Sequence, residues 1–251
     1  MIKMFAKKPK IKFYGSDLLD VDLAAPRSAN KFTPDWFKKM PSFLDVSGNK
    51  KTTSALTEGG IVGNATIKKC VPVLDAFGFG YIIPMPFDCL ITKRADGLEF
   101  GWRFEGCVGL DGFLSSHSEE QVKGCPMSSG SNDKMFYKVQ NPWHIETPTG
   151  YSCLITAPLN RKELPIQILS GVVDTDHYHT VNFPFILNLE EGEHLIKAGT
   201  PIAQVIPFKR EKWESKNEIL TEERVGRGKA VIDTFLHEFY KRKHHVKKSF
   251  L

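Results

Sequence analysis

A chain of 251 residues with 41% hydrophobic and 25% charged side chains has the composition of an ordinary globular protein. It holds no run of about 18 apolar residues, which excludes a membrane-spanning helix, and its N-terminus, MIKMFAKKPKIKFYG, lacks the apolar stretch and cleavage site of a signal peptide. The net charge of +5 sits at the ends: residues 1–12 and 241–251 each carry five basic side chains and no acid, and the body between is net acidic.

Taken in chain order, residues 1–66 read as an extended N-terminal segment with one short helix and a mobile loop. The helix is expected in TPDWFKK, with Thr33 as cap and Pro34 at the first helical position. Trp36 and Phe37 are its anchors to the body. Residues 45–64 are polar and Gly-rich, the signature of a loop. Residues 67–213 read as a β-rich core. ATIKKCVPVLDAFGFG opens it with a helix that Pro72 limits and Gly78 and Gly80 end. From Tyr81 the pattern turns to short strands: YIIPMPFDCLITKR and LEFGWRFEG, joined by an ADG turn, then one or two helical turns in SSHSEEQVKGCP. FYKVQNPWHIETP, GYSCLITAPL, IQILSGVV, VNFPFILNL, HLIKAG and PIAQVIPFKR follow, punctuated by Pro, Gly and Asn. That spacing predicts a β-sandwich or barrel-like core rather than a βαβ fold. Residues 214–251 read as a linker and a basic amphipathic helix, with Val231, Ile232, Phe235, Leu236 and Phe239 at helical spacing.

The five cysteines (Cys70, Cys89, Cys107, Cys125, Cys153) are odd in number and widely spaced, which predicts free thiols rather than a disulfide framework or zinc site. The stretch Ile168–Asn188, ILSGVVDTDHYHTVNFPFILN, carries the densest polar chemistry. In an extended strand His177 and His179 would share a face. Gly171 followed by this His-x-His pair opens like the first half of a cupin metal motif, with His144 or His194 as a third ligand for iron or zinc. The acid that motif needs is missing from TVNFPF. Ser152 and Cys153 sit mid-strand without a nucleophile elbow, and Cys153 reads as a core thiol. GRGK, at Gly226–Lys229, is explained by a linker, and the basic-aromatic PFKREKWESK is interrupted by Glu211 and Glu214, so both read as solvated. Nucleic-acid contact by the basic ends is the less favoured account of their charge.

From Thr147 to Arg210 the order of features resembles the dUTPase and dCTP-deaminase superfamily, whose fold is the β-clip. Pro148, Gly150 and Tyr151 match its opening strand. Gly171, Val173, Asp174, Asp176 and Tyr178 match its hairpin. Asn188 closes the next strand, and AGTPIAQVI (198–206) matches its last one. The resemblance implies that VVDTDHYH turns a hairpin lining a pyrimidine nucleotide pocket, with Asp174, Asp176 and Tyr178 on base and sugar, Arg161 or Arg210 on the phosphates, Asp174 as general base and Mg²⁺ as cofactor. It also implies a homotrimer. The departures point away from that chemistry. The Arg-Ser-Gly loop is APLNR (157–161), the Tyr-Arg-Gly-Glu is HYHT, the deaminase Glu has no counterpart in FPFILN, and the glycine-rich C-terminal motif is missing.

Over residues 34–213 the chain resembles a family of proteins of tailed phages of aquatic bacteria and of some bacteria, through PDWFKKMP, GYIIP, NPWHIETPTGYSCLITAPLNR, SGVVDTDHYHTVNFPF and GTPIAQVIPFKR. This implies a phage-related origin and brings no activity with it. The expectation is therefore a mainly β protein with a β-clip barrel or sandwich core, a few short helices and an amphipathic C-terminal helix. Its expected role is a non-catalytic structural or assembly component without cofactor, in the virion or host cytoplasm, partnered by itself or by other phage structural proteins. A pyrimidine nucleotide-binding or nucleotide-hydrolysing enzyme is the first alternative, and a His-x-His cupin-like metalloenzyme the second.

Overall fold

The computed structural model describes residues 8–15, 24–44, 55–57, 60–62, 65–94, 97–101, 113–124, 137–219 and 240–251. Their strands pair antiparallel throughout. Lys12–Gly15 (β1) pairs with Trp143–Glu146 (β10). A five-stranded sheet runs in the order Gly171–Val173 (β13), Tyr151–Thr156 (β11), Pro201–Lys209 (β16), Tyr81–Pro84 (β5) and Arg27–Ser28 (β2). A four-stranded sheet runs Ile166–Ile168 (β12), Asn182–Leu187 (β14), Tyr137–Gln140 (β9), Leu114–Ser116 (β8). A third sheet places Cys89–Arg94 (β6) between Gly192–Ile196 (β15) and Gly97–Gly101 (β7), and Ala55–Thr57 (β3) pairs with Gly60–Val62 (β4).

Alternation explains the four-stranded sheet. Tyr137 and Val139 on β9, Ile166 and Ile168 on β12, and Phe183 and Phe185 on β14 are buried, with their neighbours turned outward. The middle of β16, Ile202–Ile206, is buried without alternation because it is flanked by β11 and β5 and covered on both faces. Residues of the four larger sheet elements meet in one core, including Ile83, Ile91, Val139, Ile145, Ile155, Phe183 and Val205. The arrangement is sandwich-like, and among the described strands no sheet closes into a barrel.

Several runs that read as single strands are cut by corners that pass the chain between sheets. Pro84-Met85-Pro86 separates β5 from β6, and Met85 is held there by its N–H to the Thr200 carbonyl at 2.7 Å. Asn141 separates β9 from β10: its side chain accepts from the Trp143 N–H at 3.1 Å and donates to the Trp143 carbonyl at 2.6 Å.

Two short helices flank the sheets, Asp35–Lys39 (α1) and Val71–Phe77 (α2). Thr33 does not cap α1; Pro34 stands at the cap, and the Thr33 hydroxyl donates instead to the Asn30 carbonyl, closing the preceding 3₁₀ turn. Pro72 starts α2 rather than limiting it, since the first turn needs no N–H from it. Phe37 and Phe77 pack with ring centroids 4.7 Å apart, and Trp36 lies edge-on to both. The loop expected at 45–64 contains the β3–β4 pair, and the rest of it lies outside the described residues. So do Cys107, Cys125, Gly226–Lys229 and the apolar stripe of the expected C-terminal helix. The described tail, 240–251, forms a single π turn and then an extended stretch that returns to the body. Cys89 and Cys153 are buried free thiols, Cys70 is an exposed one, and burial pushes the Cys153 thiol up to about 11.

Candidate functional site

The three sequence features singled out between Pro148 and Arg210 converge in space. Gly150 takes φ of +86°, closed to most side chains, and the Tyr151 N–H bonds back to the Pro148 carbonyl at 3.1 Å. This turn aims the Gly150 N–H at the Asp176 carboxylate, 2.8 Å away, while the Gly150 carbonyl accepts from the Arg210 N–H at 2.8 Å. Arg210, the residue just past β16, is thereby fixed beside β11, and it extends its guanidinium over the turn that follows β13.

That turn is not the expected hairpin. β13 pairs with β11, whereas β14 belongs to the four-stranded sheet, so residues 174–181 form a corner between sheets. The Asp174 carbonyl accepts from the N–H groups of His177 and Tyr178, both at 2.9 Å. Thr175 points inward and is fully buried. Its hydroxyl meets that of Thr147 at 2.7 Å and donates to the Cys153 sulfur at 3.3 Å. Thr147 and Thr175 carried no signal in the sequence beyond their polarity.

Asp176 grips Arg210 through both oxygens, with Nη1 at 2.8 Å, and its side chain is only 1% exposed. The Arg210 bond, joined by the Gly150 N–H, holds the Asp176 carboxyl well below its ordinary value. Asp174 is 61% exposed and accepts from the Ser152 hydroxyl at 2.6 Å and from Arg210 at 3.1 Å. The Ser152 bond, then Arg210, lowers its pKa as well. Arg210 Nη1 also reaches the Ser152 hydroxyl at 3.0 Å and the Tyr151 carbonyl at 3.3 Å.

The other residues named from the sequence separate. His177 lies 3.5 Å from Asp176 with its ring mostly in solvent, and Tyr178 is 61% exposed. The expected extended strand carrying His177 and His179 is the sheet-crossing corner. His179 turns its Nδ1 to the carbonyls of Thr175 and Ile145, at 3.1 and 3.2 Å. His194 is on β15 and bonds the Glu190 carbonyl. Among the described residues no group of three His, Cys, Asp or Glu is gathered to hold a metal ion. Arg161 is engaged elsewhere: it pairs with Glu163 and donates to the Phe32 carbonyl at 2.8 Å, while Glu163 accepts from Trp36. The Ala157–Arg161 turn is likewise occupied, because its Leu159 N–H bonds the buried Gln204 side chain at 2.8 Å.

Chemically, the cluster is a cross-brace. A carboxylate made more acidic than usual is a weaker proton acceptor, and the Arg210 guanidinium is already turned to Asp176, Asp174, Ser152 and the Tyr151 carbonyl through Nη1 and Nη2.

No family model matches the chain, and no curated protein matches it. Solved structures that resemble it include a mutant dUTPase from phage phi11 of S. aureus, at 12% identity and a TM-score of 0.30 over 57% of this chain and 84% of that one. Another is the native EIAV dUTPase, at 13% identity and a TM-score of 0.29 over 56% and 86% of the two chains. A third is a mutant of the Staphylococcus bacteriophage 80alpha dUTPase with dUpNHpp, at 13% identity and a TM-score of 0.30 over 57% and 77%.

Proposed function

We propose that this chain is a non-catalytic phage protein, a structural or assembly component that works as a homo-oligomer or beside other phage structural proteins. The observation that carries the reading is the saturation of its best candidate site. Asp176, Arg210, Ser152 and the Gly150 N–H satisfy one another, with Asp176 shut away from solvent. A site built for a ligand keeps donors or acceptors aimed at an open space; here they are aimed at each other.

An apolar edge beside the brace supports assembly as the alternative use of this surface. By register, Val172 faces Leu154 across β13 and β11, and Phe208 lies on the same face of β16, two residues beyond the Leu154–Ile206 pair. Val172 is 64% and Phe208 38% exposed, and Tyr178, on the corner that follows β13, is 61% exposed. Exposed apolar groups on one face of a sheet are a surface for another chain.

Two measurements test this together. Native mass spectrometry of the full chain is expected to give an oligomer, a trimer being the form the sequence resemblance implies, and Val172→Asp is expected to shift it toward monomer. A thermal-shift screen of dUTP, dCTP and other nucleotides, with and without Mg²⁺, is expected to show no shift that depends on Asp174. A rise of several degrees for a pyrimidine nucleotide that disappears in Asp174→Ala would replace this reading with a nucleotide enzyme.

A further inference from the structure

Two cavities, about 440 and 250 Å³, share Ile11, Tyr81 and Phe250 where the N-terminal strand and the C-terminal tail meet β5. We propose that they form a binding site for a small ligand carrying an aromatic ring and an anionic group. The larger volume falls in the range of small-molecule pockets.

The walls are suited to a ring. Phe13 stands edge-on to Tyr81 with centroids 5.4 Å apart, and Phe250 stands edge-on to Tyr81 at 5.9 Å. A planar ligand entering this nest meets aromatic faces and edges at the spacings such rings prefer. The rim is suited to an anion. Arg27 and Lys31 line the larger cavity and Lys8 the smaller, and no acidic side chain lines either one. Several cations elsewhere on this protein are matched: Lys12 with Glu146, Arg161 with Glu163, Lys197 with Asp88, Arg210 with Asp176, Lys248 with Asp75. Among the described residues Lys8, Arg27 and Lys31 have no such partner, so two unpaired cations line the larger cavity, beside Leu251, and one lines the smaller. Ser28 and Asn30 add polar side chains beside Arg27. The Tyr81 hydroxyl at the cavity wall donates to the Leu251 carbonyl at 3.4 Å.

Phe250 makes the tail part of the site. It packs against Phe79 at 5.0 Å, and the tail behind it is tied down where Lys248 and His245 reach Asp75 at 2.7 and 3.0 Å. A ligand seated against Phe250 therefore also holds the tail.

The test is calorimetric titration of the full chain with phenyl phosphate, set against inorganic phosphate and benzyl alcohol, which offer the charge and the ring separately. Phenyl phosphate is expected to bind saturably and about tenfold or more tighter than either half-ligand. The double variant Arg27→Ala/Lys31→Ala, both exposed positions, is expected to weaken it about tenfold. Phe250→Ala is expected to weaken it several-fold, and Lys162→Ala, on a remote loop, to leave it unchanged. The proposal is overturned by an absence of saturable heat, by inorganic phosphate binding as tightly as phenyl phosphate, or by Arg27→Ala/Lys31→Ala binding like the parent. Capture of an acidic peptide without phenyl phosphate binding would overturn it too, by marking the cavities as a peptide groove.

Discussion

Gln204 shows how a residue singled out by resemblance earns its place by packing. It is 1% exposed, and its amide satisfies three backbone groups: the Leu159 N–H at 2.8 Å, and the carbonyls of Ala76 and Phe79 at 3.1 and 2.6 Å. It ties the end of α2 and the Ala157–Arg161 turn to β16. Gln204→Leu keeps the volume and strands those groups, at about 1–3 kcal/mol for each one left unpaired; urea denaturation is expected to show the summed loss. Asp176 gives a pH signature. Its carboxyl is held below the ordinary 3.8 by Arg210 and the Gly150 N–H. A depressed carboxylate contributes stability that is fully present above 3.8 and is lost as pH falls through the folded value. Asp176→Asn should therefore be clearly less stable than the parent at neutral pH, and the gap should narrow as denaturation is repeated below pH 3.8. A gap that stays constant into acid would mean that the carboxylate charge plays no part in the brace.

At the scale of elements, Gly80 is the tightest joint. It takes φ of +81°, and a Cβ there would lie 2.2 Å from the Val205 carbonyl oxygen, at the very point where β5 meets β16. Gly80→Ala combines a left-handed backbone with a backbone clash, and a loss of about 1–3 kcal/mol or more is expected in thermal denaturation. The strand pattern was legible wherever one face is buried, as in YKVQ and IQI, because a period of two is a local property. Partners were not. Lys12 finds Glu146 across 134 residues, and no composition rule points from one to the other. Corners were misread as strand interiors because Pro84 and Asn141 turn the chain only when a second sheet waits to receive it. The candidate site was half legible for the same reason. Asp174, Asp176 and Arg210 stood out by type and position, but a gripping pair and a waiting pair have the same letters. Thr147 and Thr175 had no signal beyond their polarity, and Gly150 stood out by position without showing that its N–H meets Asp176.

Across the whole molecule, the tail and the body are joined at Asp75. Burial there favours the neutral acid, yet Lys248 and His245 outweigh it and the Asp75 pKa falls below its usual value. Asp75→Asn removes the charge both cations answer to. Residues 240–251 are then expected to lose hydrogen-exchange protection while β5, β11 and β16 keep theirs. The parent should show the same local release as pH drops below the ordinary carboxylate value of 3.8.

The placing of β16 has a consequence for how this chain is made. It is the middle strand of the five-stranded sheet, with β11 on one side and β5 on the other, yet it comes from residues 201–209. During synthesis the β2–β5 and β11–β13 pairs emerge before the strand that joins them, and the core holding Ile83 and Ile155 lacks Ile202, Ala203 and Val205. A ribosome must deliver more than four-fifths of the polypeptide before that layer can assemble, so truncated products ending before Pro201 are chaperone clients rather than smaller versions of the fold.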